Sequence, residues 1–399
     1  MKHAFNRRVD FILIIPVMLL LVVGFVSIYI ATSNDYPDKV TQVMLQQGAW
    51  VIIGLMFAFV VMLFNTEFLW KISPFLYLLG LGLMVLPLFF YSSSLVESTG
   101  AKNWITIGNT TLFQPSEFMK IAYILLLAES ALWFHERYLE QTIKRDLQLL
   151  AVFLVVTIPV LILLGLQKDF GTAMVFLSIL VGMSFLSGVS WKIVLSVFLT
   201  TLVSLLIFLL VFLWEPGREF LYHMGMDTYQ INRISAWLKP FDFATSIAYQ
   251  QTQGMLSIGS GGVLGKGFGV LELSVPVRES DMIFTVIAED FGFLGAAVTL
   301  ALYLVLIYRM IIITLESNNQ FYTYISAGFI MMILFHIFEN IGAAIGILPL
   351  TGIPLPFISQ GGSSLISNLI GVGLVLSMAY QNQRQKEEAR EERYSKLTN

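Results

Sequence analysis

The segment Arg278-Glu279-Ser280-Asp281-Met282-Ile283-Phe284 sets a carboxylate just before a long apolar run. A carboxylate so placed has two uses. It can cap the helix that follows, because Ser and Asp side chains accept hydrogen bonds from the free N–H groups of a first turn. It can instead face a cavity and take a proton from a substrate hydroxyl as a general base. The two uses are only partly compatible, since a base has to point away from its own helix. A second pair, Glu117 and Lys120, follows Gln114-Pro115-Ser116 at the head of another apolar run. At i, i+3 spacing the two share a helix face and can pair. A lysine beside a helix N-terminus is equally suited to holding a phosphate. Trp104, between Lys102-Asn103 and Ile105-Thr106, is either an interfacial anchor or a platform for a sugar ring.

Other polar residues lie deeper in apolar sequence: Glu129, Glu289, Asp290, His336, Glu339 and Asn340. Ionisable groups at such positions are costly and face a bundle interior or a cavity, so each is a functional candidate. His336, Glu339 and Asn340 share one helix face. One His and one Glu make a thin ligand set for a metal, and hydrogen bonding between helices is the favoured reading. The run Gly259-Ser260-Gly261-Gly262-Val263-Leu264-Gly265-Lys266-Gly267 lacks both the G-x-G-x-x-G and the G-x-x-x-x-G-K-[ST] frames of nucleotide loops. It reads as a tight backbone loop packed on helices, with the lining of a long substrate as the alternative. Cysteine is absent, which excludes disulfides and thiolate chemistry.

The elements that must position these groups are transmembrane helices. Charged residues are 12% of the 399 and hydrophobic residues 57%, with a mean hydropathy of +0.79. Soluble domains carry roughly 25% charged residues, and this chain cannot cover a water-exposed surface. A helix needs about 20 apolar residues to cross a bilayer. Ten such spans are expected, near 9–31, 48–64, 72–91, 117–134, 147–166, 171–187, 193–213, 283–308, 322–348 and 361–380. The first has too long an apolar run for a signal peptide and is read as a retained helix. Gln167-Lys168-Asp169-Phe170 makes spans five and six a tight hairpin. If both termini are cytoplasmic, the inside segments hold more than half of the 23 Lys and Arg residues, among them Lys71, Arg137, Lys144, Arg145, Lys192 and Arg309. The positive-inside rule therefore puts both termini in the cytoplasm. Two rich loops are then extracytoplasmic, one from Ser92 to Ser116 and one from Trp214 to Asp281. The longer one is expected to pack against the membrane surface, with amphipathic helix near 245–258. The charged tail 381–399 is expected to be solvated helix or disorder. The net charge of −3 gives no reason to expect nucleic acid.

Five segments together resemble the SEDS proteins, the RodA/FtsW family. They are Phe113-Gln114-Pro115-Ser116-Glu117-Phe118-Met119-Lys120; Gln167-Lys168-Asp169-Phe170-Gly171-Thr172-Ala173; Tyr249-Gln250 with Gly259-Ser260-Gly261-Gly262; Asp281-Met282-Ile283-Phe284 with Glu289; and the stretch from Gly346 through Pro349, Pro354 and Pro356 to Gly361-Gly362-Ser363. The match runs in order along nearly the whole chain and is nearest to RodA of low-GC Gram-positive bacteria. The resemblance implies one all-α transmembrane domain over 1–380 with its large loop at 214–282. It implies a peptidoglycan glycosyltransferase of the bacterial cytoplasmic membrane, polymerising lipid II on the outer side during elongation and releasing undecaprenyl diphosphate. A class B penicillin-binding protein and other elongation-complex membrane proteins would be its partners. The family's essential aspartate falls on Asp281, its loop tryptophan on Trp104 and its fourth-helix lysine on Lys120. Gln114, Glu117 and Arg233 complete the expected substrate-binding set. Val277 and Glu279 stand where the family often has Glu and His, so the resemblance carries no auxiliary role over to those two positions, whereas the aspartate stands. No motif demands a metal, although a diphosphate leaving group admits a divalent cation, Mg2+ or Mn2+. Two other functions fit a polytopic chain. A lipid II flippase would depend on the mid-membrane carboxylates, and a non-catalytic scaffold of the wall-synthesis complex would tolerate loss of Asp281.

Overall fold

The computed structural model describes residues 10–93, 96–97, 100–107, 110–138, 142–226 and 228–398. Val9, at the expected start of the first span, and the basic residues Lys2, Arg7 and Arg8 lie outside the described residues. Among the described residues the long helices before the long loop are α1 (Phe11–Asp35), α2 (Val40–Met62), α3 (Thr66–Val85), α4 (Pro115–Arg137), α5 (Ile143–Gln167), α6 (Phe170–Leu186) and α7 (Trp191–Leu213). The loop contributes α8 (Glu215–His223), α9 (Thr228–Leu238) and α10 (Tyr249–Ser260). Then come α11 (Ile283–Leu315), α12 (Gln320–Ala344) and α13 (Gly362–Thr398). Among the described residues nine helices are long and apolar enough to cross a membrane, and α6, with 17 residues, is a shorter tenth. The chain is a multi-pass α-helical membrane protein, as its hydropathy predicts. The backbone of α13 continues as helix through the expected boundary at 380.

The helix starts are written locally. Asp10, Asn65, Asp169 and Asn319 each accept a backbone N–H of the first turn they precede. Pro115 occupies the first position of α4, where its missing N–H costs nothing. Lys168 closes α5 in the left-handed conformation, which turns the chain at once into α6. A small antiparallel hairpin, β1 (Ile105–Ile107) and β2 (Thr110–Phe113), adds sheet that an all-helical expectation did not contain.

Burial sorts the helices. The apolar windows of α4, α12 and α13 are 61%, 67% and 72% buried, whereas that of α7 is 0% buried. The polar side chains singled out from sequence sit mainly on α4 and α12, where neighbouring helices can satisfy them. Arg309 of α11 grips Asp10 at the start of α1 through Nε and Nη2, with Nε 3.1 Å and Nη2 2.5 Å from Oδ2.

The helix α11 is too long for one crossing: 33 residues at about 1.5 Å each exceed the roughly 30 Å core. It is broken at Gly292, where φ is 62° and ψ −158°. Its first part, Ile283–Asp290, is buried inside the protein, and the remainder is the crossing itself. The Gly-rich loop fills the break. Lys266 and Gly267 donate backbone N–H bonds to the carbonyls of Glu289 and Asp290, while Phe293 and Leu294 donate to the carbonyls of Gly262 and Val263. Backbone groups freed by a broken helix must be satisfied by protein in this way. The loop therefore packs on helices, as its glycines suggested. The described residues of the rest of the long loop form α8, α9 and α10. Its expected helix near 245–258 is α10, and Gln251 ties it to the Ala343 and Leu348 carbonyls at 3.3 and 3.1 Å.

This docking predicts a large effect at one glycine. Gly265 has φ +81°, and a Cβ there would stand 2.1 Å from the Asp290 carbonyl oxygen. Gly265→Ala should cost roughly 1–3 kcal/mol from backbone strain alone, with the clash added. Gly259, whose Cβ would meet nothing within 4 Å, is the control. Thermal unfolding in detergent should show a clearly lower midpoint for Gly265→Ala than for Gly259→Ala. Equal midpoints would mean that the loop is not wedged into α11.

Candidate active site

The hairpin places two of the expected residues. Ile105 pairs with Phe113, so Trp104 and Gln114 sit side by side at its open end. The Gln114 backbone N–H donates to Ser363 Oγ at 3.1 Å, and its side-chain amide makes a long 3.5 Å contact to Asp169 Oδ2. One turn further, Lys120 Nζ lies 2.8 Å from Glu117 Oε2 and 3.0 Å from His336 Nε2 of α12. The pairing of Glu117 with Lys120 expected from spacing is present, in the buried interior. Asp169 gathers this corner. Its Oδ1 accepts the Thr172 backbone N–H at 3.1 Å, and its Oδ2 accepts the Thr172 hydroxyl at 2.9 Å and the Asn103 amide at 2.8 Å.

Asp281 lies across from this group and does not cap α11. Met282 holds the cap position without any side-chain cap bond, so the capping alternative is excluded. Asp281 Oδ2 receives a long 3.5 Å contact from the Gln250 amide, and among the described residues Oδ1 is buried without a hydrogen-bond partner. Its backbone is clamped instead. The Asn340 amide donates to the Asp281 carbonyl at 2.7 Å and to the Ile353 carbonyl at 2.9 Å. Glu339 accepts from the Thr351 hydroxyl, so the polar face of α12 bonds between helices and loops as its sequence suggested. Among the described residues no three His, Cys, Asp or Glu side chains gather as a metal site.

Burial pushes the Asp281 carboxyl up from 3.8 to about 6. Its own backbone N–H pulls it down and the charge of Glu279 pushes it up, while Arg233 and the Gln250 contact pull it down. Arg233, half-buried on α9, stands near enough to Asp281 to pull its carboxyl down and is not among the residues that line the cavity. Glu279 is itself raised, mainly by burial and further by Asp35, against the opposing charge of Arg278. Beside it Val277 holds φ 52°, a strained conformation for a β-branched residue and one that concentrates at functional sites.

A cavity of about 100 Å3 opens between the two groups. Trp104, Gln114, Glu117 and Lys120 line it with His336 and Asp169, and Ser280 and the loop 351–354 close it. Asp281 stands at its edge, its Oδ2 3.8 Å from where a Cβ on Gly352 would lie. The cavity draws on the loop after span three, the span five–six turn, the long loop and the loop after span nine. Topology assigned all four to one side.

A family model described as "Cell cycle protein", for FtsW, RodA and SpoVE, matches residues 9–384. The chain belongs to this family. The FtsW of Thiomicrospira cyclica, described as a probable peptidoglycan glycosyltransferase, is 30% identical over 395 residues, covering 97% of this chain and 95% of its own. The peptidoglycan glycosyltransferase MrdB of Escherichia coli K12 is 33% identical over 317 residues, 77% of each chain. RodA of Thermus thermophilus superposes with a TM-score of 0.64 at 28% identity, covering 93% of this chain and 96% of that one. A chain from the structural study of a peptidoglycan synthase complex that coordinates polymerization and crosslinking gives a TM-score of 0.74 at 28% identity, covering 94% and 98%. In keeping with these FtsW/RodA/SpoVE relatives, the chain is a glycosyltransferase.

Five of the six residues singled out from the sequence lie at or beside this cavity, and Asp169, which the sequence marks only as part of a turn, lines it with them. The available signal was an Asp directly before Phe170-Gly171-Thr172, a cap position at the mouth of a hairpin. Asp169→Ala should remove about 1 kcal/mol of helix capping and release Asn103. Glycan synthesis should fall further than that small stability loss explains, read as product per folded protein. Unchanged synthesis would show that Asp169 only caps α6.

Proposed function

We propose that this protein is a peptidoglycan glycosyltransferase that polymerises lipid II at the outer face of the bacterial cytoplasmic membrane, in the elongation and shape-maintenance role of RodA. Asp281 acts as the general base. It removes the proton from the acceptor sugar's 4-hydroxyl, and the oxygen attacks the donor's anomeric carbon with inversion. The C–O bond to undecaprenyl diphosphate breaks, and that diphosphate leaves with the bonding pair. Lys120, aided by the positive end of α4, stabilises the developing charge. Trp104 stacks on a sugar face, and Gln114 binds hydroxyls beside it. Glu117 orients Lys120, and Arg233 keeps Asp281 ionisable near neutrality. The observation that carries this reading is a carboxylate with an oxygen free of hydrogen bonds among the described residues, next to Ser280 and Gly352 at the edge of a polar cavity that a buried lysine lines.

Ligand pockets usually span roughly 300–1,000 Å3, so a cavity of about 100 Å3 suits the anionic junction of lipid II rather than its whole headgroup. A divalent cation at the diphosphate would supply charge neutralisation and would be held largely by substrate oxygens; no step here runs through it. A class B penicillin-binding protein supplies the transpeptidase. Of the mid-membrane carboxylates a flippase would use, Glu129 is engaged by Ser73 and Glu289 by Lys266 and Ser257, whereas among the described residues Asp290 and Glu339 each keep one buried oxygen without a hydrogen-bond partner. Labelled lipid II given to the purified protein, with and without a cognate penicillin-binding protein, tests the proposal. Glycan ladders on a gel are expected, and their absence in both samples would reject it.

A further inference from the structure

Lys120 is held from two sides, by Glu117 one turn before it and by His336 on α12. All three residues are at most 3% exposed. The ring nitrogens of His336 have distinct tasks. Nδ1 lies 2.7 Å from the Met332 carbonyl oxygen, which can only accept, so Nδ1 carries the ring proton. Nε2 is then a bare lone pair, 3.0 Å from Nζ, and the ammonium donates to it. His336 therefore holds Lys120 while remaining uncharged.

That distinction matters for an anion site. A second carboxylate in place of His336 would cancel the lysine's charge and repel a phosphate. An apolar residue would leave a buried N–H without an acceptor, and the ammonium would turn towards Glu117. A neutral acceptor fixes the direction of Nζ and leaves its charge for the ligand. Among the described residues the ammonium's hydrogen bond goes to His336 Nε2, while Glu117 Oε2 stands 2.8 Å away as an ion-pair partner without accepting a hydrogen bond, so N–H donors remain for an anion. Both Lys120 and His336 line the cavity.

We infer that His336 is a positioning residue of the diphosphate site: its neutral Nε2 holds the Lys120 ammonium in the cavity, ready for the lipid-linked diphosphate. This rests on the reading of Lys120 as the anion-binding group.

The test uses the full chain with its penicillin-binding partner and compares His336→Phe with His336→Gln, whose amide oxygen can replace Nε2. Thermal midpoint, KM and kcat for lipid II, and inhibition by inorganic pyrophosphate are measured. His336→Phe should raise KM and weaken pyrophosphate inhibition by about tenfold or more, which corresponds to roughly 1.4 kcal/mol. His336→Gln should stay within about threefold of the parent, since it keeps the acceptor. If His336→Phe does not fold, His336→Asn takes its place, being polar but too short to reach Nζ. A Phe or Asn variant with a lower midpoint but parental KM and pyrophosphate inhibition overturns the inference. Lys120→Met in a Glu117→Gln background separates the two claims. If that variant is inactive while His336→Phe is kinetically normal, only the role of His336 fails. If both are normal, the anion site fails with it.

Discussion

Asp281→Asn should abolish lipid II polymerisation, by a factor on the order of 10^2–10^4 for loss of a general base, and leave the protein folded. Asn is nearly isosteric and caps helices about as well as Asp, so the substitution removes proton-accepting ability alone. The carboxyl titrates near pH 6 because it is buried. Parental polymerisation should accordingly fall as pH drops through about 6, where the base becomes protonated, while residual activity of the variant should not follow that titration. Stability runs the other way. The folded pKa lies above the ordinary 3.8, so this group's contribution is fully present below about pH 4 and lost as pH rises through 6. At pH 7 the buried charge is a burden, and Asp281→Asn should unfold at no lower temperature than the parent. Glycan ladders of near-normal intensity from Asp281→Asn would end the general-base reading.

The second large effect belongs to the Glu117–Lys120 pair. Both side chains are buried, at 3% and 1% exposure, so removing one partner strands a charge. Lys120→Ala should therefore destabilise by roughly 3–5 kcal/mol, the usual cost of breaking a buried ion pair, as well as stop polymerisation. The double substitution Glu117→Gln, Lys120→Met removes both charges at similar volume and should recover most of the thermal midpoint. It should not recover polymerisation, because the cation that meets the diphosphate is gone. Lys120→Arg keeps the charge in a different shape and should retain part of the activity. A double variant that makes glycan at the parental rate would reduce the pair to a structural role.

Much of the architecture is local information and was legible in the sequence. A crossing helix must satisfy its own backbone with about 20 apolar residues, so contiguous hydropathy located the nine helices long enough to cross and the shorter α6. The order of spans then sent Ser92–Ser116, Trp214–Asp281 and the Pro-rich stretch after Ala344 to the same side, and those segments do meet at the cavity. Glu117 and Lys120 were readable as a pair because i, i+3 geometry is fixed by the helix itself.

What tertiary structure alone decided lies between distant segments. Whether Asp281 caps α11 or faces a cavity depends on the clamp from Asn340, 59 residues away. That His336 meets Lys120, 216 residues apart, follows from the packing of α12 on α4. The break at Gly292 is invisible to hydropathy, which sees one continuous apolar run. It exists because the loop at 262–267 supplies the donors and acceptors that the broken turn gives up. Periodicity and propensity are properties of neighbouring residues. Close approach of two backbones, and the acceptor that fixes a buried ammonium, depend on side-chain shape across helices, which no local pattern in the chain encodes.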